Sequence, residues 1–244
     1  MIKKSNLIYS LSIVSHGQMK LINNLLSDLD QIYKNDFEII LTLNIPEELP
    51  ILDKYCFPIR LLINERPLGF GANHNIASTY ARGDYFAVVN PDLRAIDLVL
   101  NDLRLVCEHP SVGVCAPLVR NSQGGLEDSA RYFPSFSRLF SKIILNNKNF
   151  SYRFEAIPAP VDWVAGMFML FKRQTFQAIG GFDDRRFFMY YEDVDICHRL
   201  SGLGLGVFVQ PSTFVVHDAQ RASHRDLKHF YWHFISMLRY LTGI

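Results

Sequence analysis

The 244-residue sequence predicts an α/β fold built on a single Rossmann-like mixed sheet that is flanked by helices. Over residues 1–120, short segments rich in β-branched and apolar residues alternate with segments whose apolar residues recur at helical spacing. This alternation is typical of a largely parallel sheet with helices on both faces. The composition agrees with this class, because 49% of the residues are hydrophobic, which is enough for one large core.

The first half of the chain contains most of the predicted sheet. Strands are predicted at residues 7–14, 37–43, 59–63, 85–89 and 112–116, and helices at residues 21–32, 72–82 and 97–108. Ligands of such sheets bind beyond the carboxyl ends of the strands. We therefore expect the polar residues that follow the strands to face one crevice: Ser15, His16, Asn44, Asn64 and Asn90 to Asp92.

The second half shows a less regular pattern. Residues 121–160 contain paired glycines, several serines and asparagines and three prolines, so loops, irregular helix and a mobile flap are expected there. Beyond them the sequence predicts a strand at 161–171, helices at 173–179 and 192–203, short strands at 207–209 and 214–216, and a terminal helix at 226–241. We interpret residues 1–244 as a single domain.

The terminal helix is amphipathic. Its apolar stripe consists of Leu227, Phe230, Tyr231, Phe234, Leu238 and Leu241, and mostly polar residues lie opposite. Three interpretations fit this pattern: a helix docked on the domain, an aromatic and basic helix lying on a membrane surface, or a dimer contact.

Charge and composition exclude several classes of protein. A formal net charge of +1 gives no general basic surface for nucleic acid, and no run of about 18 apolar residues predicts a membrane span. The short apolar run after the two N-terminal lysines is interpreted as a first strand rather than a signal peptide. Four scattered cysteines without a CxxC pair are typical of reduced core cysteines in a cytoplasmic protein.

The turn Asn90-Pro91-Asp92 is a candidate cation site. A carboxylate at the end of a buried strand, in a turn stiffened by proline, can hold Mg²⁺ or Mn²⁺, which complete their coordination with phosphate oxygens and water. These three residue types are also ordinary turn formers, so the motif alone leaves a purely structural turn open. His217, at the end of a later strand, is a second candidate metal ligand, although a lone histidine is more often structural.

Acidic residues are concentrated at the start of the helix predicted at 192–203. Glu192, Asp193 and Asp195 follow a run of aromatic and apolar residues. The helix dipole favours acids at this position, which explains one or two of them. Apolar neighbours raise the pKa of a carboxylate and make it a better general base near neutral pH. Asp195 and His198 are alternatively solvent-facing, with Arg199 pairing to Asp195.

The glycine-bearing loop before the second helix is a candidate nucleotide contact. Residues 69–74 resemble the start of a dinucleotide fingerprint but lack its third glycine and follow the third strand rather than the first. A dinucleotide site is therefore disfavoured. A glycine loop at a helix start can still let the backbone approach a nucleotide, which makes Gly71 and Asn73 candidates.

Taken together, the motifs resemble family 2 glycosyltransferases, in particular the bacterial rhamnosyltransferase-like branch. The matching segments are SIVSHGQ at 12–18, INERPLGFGANHNIA at 63–77, YFAVVNPDL at 85–93, VDWVAGMFMLFKR at 161–173, IGGFDDRRFFMYYEDVDICHRL at 179–200 and VVHD at 215–218. They span about four fifths of the chain, and the block from 179 to 200, coming after the segment at 161–173, is the most specific.

The resemblance implies a GT-A fold and assigns roles to individual positions. Residues 1–120 would be the nucleotide-sugar-binding half, 121–222 the acceptor and catalytic half, and 223–244 the C-terminal helix. Asp193 matches the general base, with Glu192 as the second choice. Asp92 is the one acid retained where many relatives carry a DxD metal motif, and His217 matches the metal-side histidine. Ser15, Asn44 and Asn64 fall near the nucleoside, and Trp163, Gly166, Gly181 and Phe182 fall at the sugar and acceptor pocket.

The same resemblance implies an inverting transferase with a divalent cation, Mg²⁺ or Mn²⁺. The expected donor is dTDP-L-rhamnose, with UDP- or GDP-linked sugars as alternatives. The expected acceptor is a saccharide of a bacterial surface polysaccharide on a lipid carrier, which places the enzyme in the cytoplasm at the inner face of the membrane. Two other functions remain open: a nucleotidyltransferase, and a domain that binds glycan or nucleotide without turnover.

Overall fold

A computed structural model describes residues 7–32, 35–49, 51–94, 99–136, 152, 154, 158–217 and 227–243 of the chain. Its strands are β1 (Tyr9–Ser15), β2 (Phe37–Leu43), β3 (Ile59–Ile63), β4 (Tyr85–Val89), β5 (Leu93–Arg94), β6 (Val112–Asn121), β7 (Ala130–Arg131), β8 (Ala159–Val161), β9 (Trp163–Val164), β10 (Phe168–Lys172) and β11 (Gly206–His217). Its helices are α1 (Met19–Ile32), α2 (Phe70–Tyr80), α3 (Val99–Cys107), α4 (Arg173–Ala178), α5 (Glu192–Gly202) and α6 (Leu227–Thr242). Of the expected flap at 121–160, residues 137–151, 153 and 155–157 lie outside the described residues.

The central sheet is mixed, as predicted. Its strand order is β3-β2-β1-β4-β10-β6-β11-β5, and β8 also pairs with β11. Strands β1 to β4 pair in parallel, as do β6 and β11. Strand β10 runs antiparallel to both β4 and β6, which inserts a reversed strand between the two parallel groups. The carboxyl ends of the parallel strands therefore share one edge with the amino end of β10.

Several predicted strand boundaries differ from the structure, and β6, predicted at 112–116, extends to Asn121. The strand expected at 161–171 is three strands, because β8 pairs with β11, β9 pairs with β7 in a separate two-stranded sheet, and β10 enters the centre of the main sheet. The two short strands expected at 207–209 and 214–216 belong to one strand, β11, whose register shifts between Gln210 and Phe214. The alternation of apolar and polar residues along the sequence does not show where the register between two paired strands shifts.

Hydrophobic cores lie on both faces of the sheet. Along β4, Ala87 and Val89 join one cluster while Phe86 and Val88 join the other, as the alternation of side chains along a strand requires. Helices α1 and α3 pack on the first cluster, and α2 and α5 on the second. The helix predicted at 21–32 is confirmed as part of α1, which buries Leu21, Leu25 and Leu29 at helical spacing.

Helix α6 docks through the face opposite to its apolar stripe. Ser236 is only 3% exposed, and Met237 and Tyr240 pack against the second core cluster. Phe230 and Tyr231, by contrast, are 73% and 61% exposed. The helix is thus bound to the domain by Ser236, Met237 and Tyr240, whereas Phe230, Tyr231, Phe234 and Leu238 of the apolar stripe are exposed.

The cysteines and the helices agree with most of the expectations from composition. Cys107, Cys115 and Cys197 are buried and free, as predicted. Cys56 is exposed, so its prediction as a core residue is wrong: it lies between β2 and β3, where its backbone N–H and thiol donate to Asp30. Within the described ranges, no helix has the length and apolarity that crossing a membrane requires.

Candidate active site

The ends of β1, β2 and β3 bring three predicted residues together. The backbone N–H of Asn44 donates to the Ser15 carbonyl at 2.9 Å, and the backbone N–H of Asn64 donates to the Leu43 carbonyl at 3.0 Å. Ser15 and Asn44 are buried, whereas the neighbouring His16 is exposed and lies 3.2 Å from Asn44 through its Nδ1. The predicted convergence of these polar residues at one edge of the sheet is present.

Side-chain amides join this cluster to the loop before α2. The Oδ1 of Asn44 accepts from Asn64 Nδ2 and from the Leu68 backbone N–H, both at 2.8 Å. Asn64 Nδ2 also donates to Asn73 Oδ1 at 2.7 Å, and Asn73 Nδ2 donates to the Gly69 carbonyl at 2.9 Å. The three asparagines therefore fix the conformation of the loop over 64–69. Their role towards a nucleotide stays a prediction.

Glycines in the α2 region allow close packing of two loops. A Cβ on Gly69 would lie 2.2 Å from the carbonyl oxygen of Phe188, and a Cβ on Gly71 would lie 2.7 Å from the Cβ of Phe182. The backbone N–H of Phe70 donates to that same Phe188 carbonyl at 3.0 Å. The glycines at 69 and 71 are thus explained by the approach of the segment around 182–188, which leads into α5.

A second cluster forms around His217. Strand β5 pairs antiparallel with β11, which places Leu93 opposite His217 and brings Asp92 alongside it. The Nε2 of His217 lies 2.9 Å from Asp92 Oδ2, and its Nδ1 lies 2.7 Å from Glu127 Oε2. Glu127 arrives by a tight return of the chain after β6, where its backbone N–H donates to the Val119 carbonyl. The imidazole is therefore held between two carboxylates.

The two carboxylates of this cluster favour the protonated, positively charged form of His217. Hydrogen bonding to Asp92 is the main cause that raises the pKa of His217 to about 9, opposed by partial burial and assisted by the charges of Asp92 and Glu127. Asp92 Oδ1 is buried and has no hydrogen-bond partner among the described residues. A buried carboxylate oxygen without a donor is suited to a hard cation.

This donor set fits a divalent cation that is completed by substrate. In the part of the chain that the structure describes, no group of three or more His, Cys, Asp or Glu side chains could hold a metal ion by itself. Mg²⁺ and Mn²⁺ sites that bind nucleotides usually have one or two protein carboxylates and take their other ligands from phosphate and water. Asp92 and His217 together fit that pattern, and they are the two residues that the resemblance assigned to a metal.

The third cluster is the start of α5. Tyr190 and Tyr191 both have left-handed backbone conformations, with φ of 70° and 69°. Such conformations cost a non-glycine residue about 1–3 kcal/mol each and persist where surrounding contacts hold them. They turn the chain so that Glu192 and Asp193 open the helix, where the helix dipole favours negative charge.

The two acids have different surroundings. Glu192 is 5% exposed, and its Oε2 has no partner among the described residues. Asp193 is partly exposed, with Oδ2 accepting from the Gly166 backbone N–H at 3.0 Å and Oδ1 from the Val194 backbone N–H at 2.8 Å. Burial raises the pKa of both carboxyl groups, and the charge of Asp193 adds to the rise at Glu192. The upward shift expected from the apolar run is present.

Hydrogen bonds place the second and third clusters at the same edge of the sheet. The backbone N–H of Asn90 donates to the Met167 carbonyl at 2.9 Å, just before the start of β10. The neighbouring Gly166 donates to Asp193. The Asn90–Asp92 turn and the Asp193 carboxylate are thus joined through two consecutive residues, 166 and 167.

The residues expected at a sugar pocket have packing roles in this structure. Trp163 and Phe182 are buried, and the Trp163 indole N–H donates to the Tyr132 carbonyl at 3.0 Å. Gly166 permits contact with the Phe70 ring, which would lie 2.9 Å from a Cβ at that position. Gly181 has φ of +67°, and its carbonyl accepts from Arg199. Of these residues, Gly166 donates its backbone N–H to Asp193, and a contact with sugar stays a prediction.

One alternative for the helix α5 is corrected by the structure. Asp195 is buried rather than solvent-facing, because Arg199 pairs with it at 2.7 Å and Arg186 lies 3.5 Å away. The predicted pairing of Arg199 with Asp195 is confirmed, and His198 is exposed as expected. These residues lock α5 to the segment before it.

Sequence reasoning missed Glu127. The signal available was a turn-forming stretch, Asn121 to Gly125, between two extended segments, which is typical of a hairpin. A hairpin after β6 begins at the carboxyl edge of the sheet, so the first residues of its returning arm lie close to the candidate site. The structure also contains a cavity of about 420 Å³ at the opposite edge, lined by Ile8, Asp84, Tyr85, Arg104, Lys172, Arg173 and Gln174, none of which was predicted as a site residue.

Comparison with known sequences agrees with these motifs. Residues 10–180 match the family described as Glycosyl transferase family 2. The chain is 33% identical to the rhamnosyltransferase WbbL of Escherichia coli K12, over 94% of this chain and 91% of that protein. It is 34% identical to the N-acetylglucosaminyl-diphospho-decaprenol L-rhamnosyltransferase of Mycobacterium tuberculosis, over 69% of this chain but 61% of that protein.

Comparison with solved structures agrees on the fold. The crystal structure of GalNAc-T7 with UDP, GalNAc and Mn²⁺ superimposes with a TM-score of 0.68 at 15% identity. The match covers 89% of this chain and 45% of that protein, so the chain spans under half of the length of this neighbour. At such low identity the likeness concerns the architecture alone.

Proposed function

This chain belongs to glycosyl transferase family 2 and is a glycosyltransferase with the GT-A fold, and we propose that it transfers L-rhamnose from dTDP-L-rhamnose to a saccharide acceptor with inversion. The nucleotidyltransferase and non-catalytic alternatives are accordingly set aside. In the proposed reaction, residues 1–120 bind the nucleotide sugar, residues 121–222 supply the acceptor side, and the product is part of a bacterial surface polysaccharide. UDP- and GDP-linked sugars remain the alternative donors.

The observation that carries the proposal is the placement of Asp193. Its carboxylate is held by the backbone N–H groups of Gly166 and Val194 at the carboxyl edge of the sheet, beside the Asn90–Asp92 turn. A partly buried carboxylate with a raised pKa is suited to accept a proton near neutral pH. One such base is sufficient for a single displacement.

Asp193 acts as the general base of that displacement. Its carboxylate takes the proton of an acceptor hydroxyl while the hydroxyl oxygen forms a bond to the anomeric carbon. The bond between that carbon and the diphosphate oxygen breaks, and its electron pair leaves with the nucleotide diphosphate. Attack comes from the face opposite to the leaving group, so the configuration inverts. Glu192, which is more deeply buried, is the second candidate.

Asp92 and His217 are the residues that would hold a divalent cation, Mg²⁺ or Mn²⁺. The unpartnered Asp92 Oδ1 and the adjacent His217 Nε2 support this assignment. When bound, such a cation supplies positive charge that stabilises the leaving diphosphate. Without a cation, the side chains of Asp92 and His217 are in direct contact and orient one another.

The donor is proposed to lie along the strand ends. Ser15, His16, Asn44 and Asn64 are proposed to face the nucleoside, and Gly71, Asn73 and Asn90 to line the diphosphate side. Asn44 and Asn73 also hold the 64–69 loop through its amide network. Trp163, Gly166, Gly181 and Phe182 are proposed to form the wall of the sugar and acceptor pocket.

The acceptor is proposed to be a lipid-linked saccharide, and α6 to lie against the membrane that carries it. The apolar stripe of α6 faces away from the domain, with Phe230 and Tyr231 strongly exposed. Residues 219–244 carry four lysine or arginine side chains against one aspartate, which complements an anionic lipid surface. The mycobacterial relative acts, by its name, on a decaprenol-linked saccharide. The proposed location is the inner face of the cytoplasmic membrane.

A nucleotide panel tests the proposed donor. Thermal unfolding of the protein is measured with dTDP, UDP and GDP, each with and without Mn²⁺, because a ligand that binds the native state raises the apparent stability with the logarithm of its concentration over Kd. We expect the largest increase with dTDP and Mn²⁺ together. A larger increase in apparent stability with UDP or GDP would show that the donor carries that nucleotide instead. No increase with any of the three nucleotides would contradict a nucleotide-sugar site.

A further inference from the structure

Glu127 contacts the side of His217 that faces away from Asp92. Its Oε2 lies 2.7 Å from His217 Nδ1, while His217 Nε2 lies 2.9 Å from Asp92 Oδ2. The three side chains are all largely shielded from solvent, with exposed fractions of 24% for Glu127, 16% for His217 and 18% for Asp92. The contact therefore joins two segments that are 90 residues apart in the sequence, in a partly buried setting.

Backbone pairing fixes the position of Glu127. Strand β6 runs parallel to β11 with Asn121 opposite His217. The chain then turns: Asn121 Oδ1 accepts from the backbone N–H groups of Gln123 and Gly125, and the Glu127 backbone N–H returns to Val119. The carboxylate is thus delivered by a hydrogen-bonded turn beside the end of β11, and not by a free loop.

We propose that Glu127 is a positioning residue that fixes the tautomer of His217 for cation binding. A cation at Asp92 would replace the proton that His217 Nε2 otherwise donates to Asp92. A carboxylate at Nδ1 would then accept the remaining N–H of the neutral imidazole and leave the Nε2 lone pair for the cation. Histidine ligands in metal sites commonly donate their other N–H to a carboxylate, and the loss of that partner typically weakens metal affinity about 10–100-fold. Glu127 itself touches neither cation nor substrate.

The inference rests on the proposed role of Asp92 and His217 at the cation, so the experiment must separate the two. Mn²⁺ affinity is measured by calorimetric titration in the presence of saturating dTDP. The variants are Glu127→Ala, Glu127→Gln, His217→Ala and, as a matched control on the next residue, Asp128→Ala. Asp128 is exposed and pairs with Arg131 at 2.9 Å.

We expect Glu127→Ala to weaken Mn²⁺ binding about 10–100-fold. Glu127→Gln should bind Mn²⁺ nearly as the wild type does, because its amide oxygen still accepts the N–H of His217. The control Asp128→Ala should also bind Mn²⁺ as the wild type does. Equal Mn²⁺ affinity of Glu127→Ala and the wild type, with His217→Ala strongly weakened, would overturn the positioning role alone. If His217→Ala bound Mn²⁺ as tightly as the wild type does, the cation site itself would be overturned.

A measurement on the wild-type protein covers the case in which Glu127→Ala does not fold. In ¹⁵N-histidine spectra with dTDP and diamagnetic Mg²⁺, the signal of His217 is identified by its loss in His217→Gln. We expect a protonated Nδ1 and an unprotonated Nε2. A neutral His217 that carries its proton on Nε2 would overturn the inference.

Discussion

At the scale of residues, the adjacent acids Glu192 and Asp193 differ in how fully their carboxylate oxygens are hydrogen-bonded. Asp193 is tied through both oxygens to backbone N–H groups, whereas one oxygen of Glu192 is buried without a donor. A bound N–H favours the charged form of a carboxylate, and burial without one favours the neutral form. Asp193 is therefore the acid suited to cycle its proton, and Glu192 is suited to remain protonated longer as pH rises.

This difference predicts a pH-dependent stability. The pKa of Glu192 is raised in the native state, so above its unfolded value of about 4.3 the native state binds more protons than the unfolded state. The free energy of unfolding then falls as pH rises from the pKa of Glu192 in the unfolded state to its pKa in the native state. The total fall is about 1.4 kcal/mol for each unit of difference between the two pKa values. Glu192→Gln removes this group, and we expect it to be more stable relative to the wild type at pH 8 than at pH 5.

The measurement is denaturant unfolding of both proteins at the two pH values. Asp193 contributes a change of the same sign, since its pKa is also raised, so the variant should keep a weaker pH dependence. If the two proteins lose stability in parallel between pH 5 and pH 8, Glu192 does not titrate as its burial implies.

At the scale of elements, α6 is attached to the segment that carries the acids. Ser236 Oγ donates to the Met189 carbonyl at 2.9 Å, and Tyr190 is hydrogen-bonded to His229 at 2.8 Å. The Trp232 ring packs on Phe188 with centroids 5.1 Å apart. These contacts surround the two tyrosines with left-handed backbones. The inner face of α6 therefore helps to hold the strained turn that presents Asp193.

We expect Trp232→Ala to lower both stability and turnover. Loss of the contact with Phe188 removes part of the support of the 188–191 segment, at a cost of roughly 1–3 kcal/mol, and dTDP binding at the strand ends should be unchanged. Thermal unfolding, transferase rate and nucleotide titration are measured. The matched control is Tyr231→Ala, the next residue on the exposed face, which should leave all three unchanged with a water-soluble acceptor. Equal effects of both variants would contradict the assignment of the two faces.

Helix positions were predictable at this scale, but the choice of docking face was not. The apolar stripe of α6 is clear in the sequence, and it normally marks the buried side of a helix. Here the polar side contains Ser236, His229 and the aromatic neighbours that fit the carbonyls and rings of the 188–191 segment. Periodicity measures only which residues share a face, so it cannot identify the surface that each face meets.

At the scale of the whole molecule, we propose that the two faces of α6 join the catalytic edge to a membrane. We expect the wild-type protein to sediment with vesicles that contain anionic phospholipid, and the combined variant Phe230→Ser/Tyr231→Ser/Phe234→Ser to remain in the supernatant while it retains dTDP binding. Neutral vesicles should bind less, since the segment 219–244 is basic. A triple variant that binds vesicles as the wild type does, or a wild type that forms dimers through this face instead, would contradict the membrane contact.

The general plan of the site was predictable because parallel strands end at a common edge. Ser15, Asn44, Asn64 and Asn90 follow from that rule and from strand assignment alone. The reversed strand β10, the return of the chain to Glu127 and the pairing of β5 with β11 depend on long-range contacts that no local pattern encodes. These same contacts complete the clusters around Asp193 and His217.

The central claim, that Asp193 removes the acceptor proton, is tested most directly by the transferase rate of Asp193→Asn. The substitution keeps the shape of the side chain and one acceptor oxygen but removes the basic group. With donor and acceptor at saturation, the account predicts a fall in kcat of roughly 10²–10⁴-fold, with dTDP affinity equal to that of the wild type. A kcat within a few-fold of the wild type, in a variant that binds dTDP normally, would contradict it.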